Sequence, residues 1–116
     1  METALAPLLM NDSNAGVRNA AALSLASLDA PSDTTLNGLQ NALEDADEEV
    51  RLSAVSTLES YLMGLEQASP VYQKIRTGLE TKAGSKTLTP RIRDLITEVL
   101  RNQQTQQAAP PANSTD

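Results

Sequence analysis

Between Leu36 and Leu65 the apolar residues recur at helical spacing in two blocks separated by a run of acids. Leu36, Leu39 and Leu43 fall at i, i+3 and i+7, which places them on one face of a first helix. Val50, Ala54, Leu58, Tyr61, Leu62 and Leu65 do the same for a second. In the intervening run Glu44-Asp45-Ala46-Asp47-Glu48-Glu49, Asp45 or Asp47 can accept hydrogen bonds from the free N–H groups that open the second helix. Glu48 and Glu49 then complement its positive end. The pattern predicts a helical hairpin.

The same pattern recurs on either side. Shifted by 33 residues, Asp12 meets Asp45, Val17 meets Val50, Arg18 meets Arg51, Ala21 meets Ala54 and Leu25 meets Leu58. Upstream, Leu5, Leu8 and Leu9 predict a short helix with Pro7 accommodated in its opening turn. Val17, Ala21, Leu25 and Leu28 mark the inner face of the helix that follows. Downstream, Ser69-Pro70 and Thr89-Pro90 each read as an N-cap followed by proline at the first helical position. They introduce Tyr72, Ile75 and Leu79, then Ile92, Leu95, Ile96, Val99 and Leu100. Ile92-Arg93 with Ile96 and Leu100 repeats Val50-Arg51 with Ala54 and Leu58. Self-similarity at such a period predicts stacked hairpins, here an all-α solenoid of three hairpins and six helices within residues 1–103. Residues 104–116, rich in Gln, Ala and Pro without apolar period, are expected to form a disordered tail.

The segments LLMNDSNAGVRNAAALSL and ALEDADEEVRLSAVSTL carry leucines in a first helix, Asp in the turn, a Val-Arg pair, then Ala and Leu. This arrangement resembles HEAT repeats, including the bacterial HEAT-like subgroup found beside bilin lyases. The third copy keeps Ile92 and Arg93 but has Thr81 near the turn where the others have Asp. The resemblance implies a ladder of Asp and Arg between successive repeats, Asp12 to Arg51 and Asp45 to Arg93, with Arg18 in the same series. It also implies that the second helix of each hairpin lines a concave surface. Counted at 100° per residue, Asn19, Leu23 and Ala26 point away from the inner stripe in copy one. Leu52, Ser56, Glu59 and Met63 do so in copy two, and Asp94, Glu98 and Arg101 in copy three. Together they would form one continuous strip.

Composition narrows the chemistry. The chain has no Cys and no His, which removes thiolate and imidazole ligands, cysteine nucleophiles and His-based triads. With no Phe or Trp and only two Tyr, the core must be aliphatic. Asp45, Asp47, Glu48 and Glu49 lack the alternating ligands and central Gly of a calcium loop, so no metal or cofactor is expected. No stretch reaches the length of a membrane span. The N-terminus lacks the basic region of a signal peptide, and the expectation is a cytoplasmic protein. The net charge of −6 argues against nucleic-acid binding. The charge is uneven: residues 1–66 carry eleven acids and two bases, residues 67–116 four acids and seven bases. Neither end reads as a polar cap, so self-association through repeat ends is also expected.

The function these features imply is a non-enzymatic scaffold or adaptor without catalytic residues. It would bind a protein through apolar contacts at Leu23, Leu52 and Met63, with Glu59, Glu98 and Arg101 setting orientation. The alternative is an accessory subunit of an enzyme or modification complex of the bilin-lyase kind. Nucleic-acid binding through the basic third repeat is the remoter one.

Overall fold

The computed structural model describes residues 2–108, which form six α-helices and no strand. These are α1 (Glu2–Asn11), α2 (Ala15–Ser24, continued by a 3-10 turn at Leu25–Ser27), α3 (Asp33–Ala42), α4 (Glu48–Gly64), α5 (Pro70–Ala83) and α6 (Pro90–Ala108). Short polar side chains open most of them. Asn14 accepts from the N–H of Val17, Ser32 from Thr35, Asp47 from Glu49 and Val50, Ser69 from Val71 and Tyr72, and Thr89 from Ile92. Each bond satisfies an N–H that has no partner inside its own helix.

The helices pair as antiparallel hairpins, α1 with α2, α3 with α4 and α5 with α6. The first helices stack in one layer and the second helices in the other. The least dimension, 19 Å, is about two helix diameters. The core lies between the layers, where Leu25, Leu39, Leu43, Val50, Ala54, Leu58, Ile92 and Ile96 are completely buried. Helix α4 is the keystone, in contact with α2, α3, α5 and α6. Two glycines let the first layer close up. A Cβ on Gly38 would lie 3.1 Å from Met10 Cγ, and one on Gly78 would collide with the Gln40 side-chain amide.

A buried polar seam joins α2 to α4. Ser53, Thr57 and Tyr61, one turn apart on α4, donate hydroxyl hydrogen bonds to Asn19 Oδ1, the Ala22 carbonyl and the Leu25 carbonyl. Ala22, with no side chain beyond Cβ and no exposure, lets the helices approach closely enough for this. The Leu25 carbonyl, in the 3-10 turn that ends α2, accepts both the Tyr61 hydroxyl and the Leu28 N–H. Thr57→Val and Tyr61→Phe each remove one such bond while keeping the shape of the side chain. Each should cost about 1 kcal/mol, read as a lowered melting temperature by circular dichroism.

Several expectations need correction. Pro7 is the sixth residue of α1, not part of its opening turn. Having no N–H, it deprives only the carbonyl four residues back, in the first turn, of a partner. Val17 and Leu8 are 36% and 39% exposed, although the Val17 position is fully buried at Val50 and Ile92. There a preceding hairpin covers it; among the described residues none precedes Val17. Thr81 lies inside α5, bonded to the Thr77 carbonyl. Six residues before Arg93, where Asp45 stands relative to Arg51, the turn carries Thr87. Helix α6 continues to Ala108 because Gln and Ala favour helix. Residues 109–116 of the predicted tail lie outside the described residues.

The uneven charge acts largely between repeats. Lys74 of α5 pairs with Asp33 at 2.5 Å, Lys82 with Glu44, and Arg91 of α6 with Glu48 at 3.1 Å. Bases of the third hairpin thus meet acids of the second. No helix among the described residues is long and apolar enough to cross a membrane.

Candidate functional site

The turn between α3 and α4 is the electrostatic centre of the stack. Arg18 Nε and Nη2 donate to Asp45 Oδ2 and Oδ1 at 2.9 and 3.1 Å, a two-pronged bond between the first and second repeats. Arg18 Nη1 also donates to the Asp12 carbonyl at 2.7 Å. Arg51 makes the equivalent bond to the Asp45 carbonyl, also at 2.7 Å. Burial pushes the Asp45 carboxyl up, but hydrogen bonds from Arg18 and the Asp47 N–H, with the charges of Arg18 and Arg51, outweigh it. The carboxyl is held below the ordinary Asp value. The same hydrogen bond raises Arg18. Glu44 is held low by hydrogen bonds from Lys82 and Thr87.

The ladder therefore exists but runs the other way from the expectation. Asp12 does not meet Arg51, and Asp45 does not meet Arg93. The arginine of one repeat reaches forward to the aspartate of the next, because it lies towards the side of the second helix that faces the following hairpin. Asp12 accepts the N–H of Asn14. Forward of Arg51 the corresponding residue is Thr87, which has no charge, and Arg51 Nε is buried without a partner. Arg93 meets no acid among the described residues. The acidic run is likewise absorbed by structure: Asp45 by Arg18, Asp47 by the α4 cap and Glu48 by Arg91.

The predicted outward strip divides into two sets. Asn19 is half-buried and engaged with Ser53. Leu52 is half-buried and packs against the core, so it is not a free apolar contact. It lies about 160° from Ala54 on the wheel, which turns it partly towards the third hairpin. Leu23 and Met63 stand out at 49% and 65% exposure. Ser56, Glu98 and Arg101 are exposed and Glu59 is half-buried. By the 33-residue register Leu23 is level with Ser56, and Met63 follows seven residues on, roughly 10 Å along the helix. The two apolar side chains are therefore separate points.

Two concavities adjoin the second helices. The larger, about 630 Å³, is lined by Arg91, Asp94, Leu95, Thr97, Glu98 and Arg101, all from α6, with no opposing wall among the described residues. It marks the polar far side of the stack. Ala22 and Val55 bury themselves against the next second helix, whereas the same position in α6 is exposed Thr97. This end is polar, contrary to the expectation that neither end is capped, while the other presents Leu8 and Val17.

The smaller concavity, about 180 Å³, lies between the C-terminal ends of α2 and α4 and is lined by residues 26–29 and by Ser60, Tyr61, Gly64 and Leu65. Sequence reasoning missed it because Ala, Ser and Gly signal no chemistry. The available signal was Ser27 and Ser60, 33 residues apart, on two helix ends without a basic residue in the last turn.

A family model described as HEAT repeats matches residues 2–77, the first two hairpins and part of α5. No curated protein and no solved structure matches.

Proposed function

Because the chain belongs to the HEAT-repeat family, we propose that it is a non-enzymatic scaffold that binds a protein partner on the outward side of its second helices, around Leu23 and Met63. The observation that carries this is the exposure of those two side chains. At 49% and 65% they are the most exposed large apolar residues described, and they lie in the same layer. Covering them against a partner would remove apolar surface from water at little ordering cost, since both stand on rigid helices. The use of the third repeat's bases also favours a protein over a nucleic acid. Lys74, Lys82 and Arg91 are engaged with acids of the second repeat and Arg76 with Glu80, so four of the seven bases after residue 66 already pair with carboxylates rather than awaiting phosphates.

The test is affinity capture from native lysate, comparing wild type with a Leu23→Glu/Met63→Glu variant. Both positions are exposed, so the variant should keep its helical circular dichroism spectrum. A protein retained by the wild type and lost by the variant is the expected result. The same proteins on both would contradict it.

A further inference from the structure

The cleft between the C-terminal ends of α2 and α4 points to the chemistry of the partner. Resting on the scaffold reading, we infer that it receives a Lys or Arg side chain from a basic segment of the partner, whose apolar residues lie on Leu23 and Met63. Three observations converge on it. The first is shape: about 180 Å³ is room for one long side chain, or roughly six waters. Half of its lining residues are small, Ala26, Ser27, Ser60 and Gly64, and an added Cβ on Gly64 would meet nothing within 4 Å.

The second is electrostatic. Helix C-termini carry partial negative charge and outward-pointing carbonyls, and two of them converge here. Neither α2 nor α4 has a basic residue in its last turn to offset this, whereas α5 has Lys82. The lining includes exposed Asp29, and Glu66 follows the end of α4. No basic residue occurs between Arg18 and Arg51 or between Arg51 and Lys74. A guanidinium or ammonium brings only donors, which matches a lining that includes the side chains of Ser27, Asp29 and Ser60.

The third is placement. Leu23 precedes Ala26 by one turn, and Met63 adjoins Gly64. The two exposed apolar side chains therefore stand beside the cleft. A segment with Leu or Met flanking Arg would satisfy both kinds of contact at once.

The test uses the full chain and two labelled twelve-residue amphipathic peptides that share their leucines, one with three Arg and the other with Glu in those places. Fluorescence anisotropy at low salt should give binding of the Arg peptide at least tenfold tighter than the Glu peptide. Gly64→Leu places a bulky side chain at the cleft, starting from a Cβ position that meets nothing within 4 Å, and should weaken the Arg peptide at least tenfold. Its melting temperature should not fall, since leucine favours helix over glycine. Amide NMR signals of residues 26–29 and 60–65 should move when the Arg peptide is added. Equal binding of the two peptides, no binding of either, or a Gly64→Leu variant that binds like wild type would overturn the inference. If Leu23→Glu/Met63→Glu still abolished capture from lysate, the scaffold reading would survive that loss.

Discussion

Leu58→Ala is expected to lower the stability of the chain by about 3 to 4 kcal/mol. Leu58 is fully buried on α4, the helix against which α2, α3, α5 and α6 all pack. Truncation removes transfer energy and leaves a cavity in a core held between two stacked layers, so collapse can recover little. Against the 5 to 15 kcal/mol typical of small domains, the loss is a large fraction. Urea denaturation should show the midpoint shifted down with its slope kept. Leu52→Ala, from a half-buried side chain on the same helix, should cost distinctly less. A Leu58 variant no less stable than the Leu52 variant would contradict the packing described above.

Asp45→Ala is expected to cost about 2 kcal/mol at neutral pH. It leaves Arg18 without its two-pronged partner and removes the acceptor of the Asp47 N–H. Arg51→Ala should cost less, because Arg51 bonds only the Asp45 carbonyl across the turn and already has an orphaned Nε. The Asp45 effect also has a pH signature. Its carboxyl titrates lower in the folded chain than in the unfolded one, so the unfolded chain binds more protons as acid is added. The stabilisation is whole at neutral pH. It drains away as pH falls through the ordinary carboxylate range, roughly pH 4, and on through the lower folded value. Glu44, held low by Lys82 and Thr87, contributes with the same sign. The gap between wild type and Asp45→Asn should therefore narrow from pH 7 to pH 3 in parallel denaturation curves. A gap independent of pH would mean that Asp45 acts through shape rather than charge.

The helix faces were legible in the sequence because burial repeats with the period of the backbone itself. Leu39, Leu43, Val50, Leu58, Ile92 and Ile96 needed no knowledge of their neighbours. The caps were legible for the same local reason, at Asp47, Ser69 and Thr89. Features that depend on how one hairpin leans on the next were not. The direction of the Asp and Arg ladder turns on which side of α2 faces forward, and a 33-residue period is blind to that choice. The burial of Leu52 has the same origin, since its helical angle lies between the outward side and the side that the third hairpin covers. The longer third turn displaced the expected ladder position from Thr81 to Thr87. The strip at Leu23, Ser56 and Met63 was readable as outward positions, but the cleft beside it was not, because its walls come from two helix ends far apart in sequence.

Whether a partner covers Leu23 and Met63 is tested most directly by methyl NMR of the chain with its captured partner. The Leu23 and Met63 methyl signals should shift or broaden on addition, while those of buried Leu39 and of Leu8 and Met10 in the other layer stay in place. Movement at Leu8 and Met10 with Leu23 and Met63 unchanged would contradict it, and would place the partner on the first helices instead.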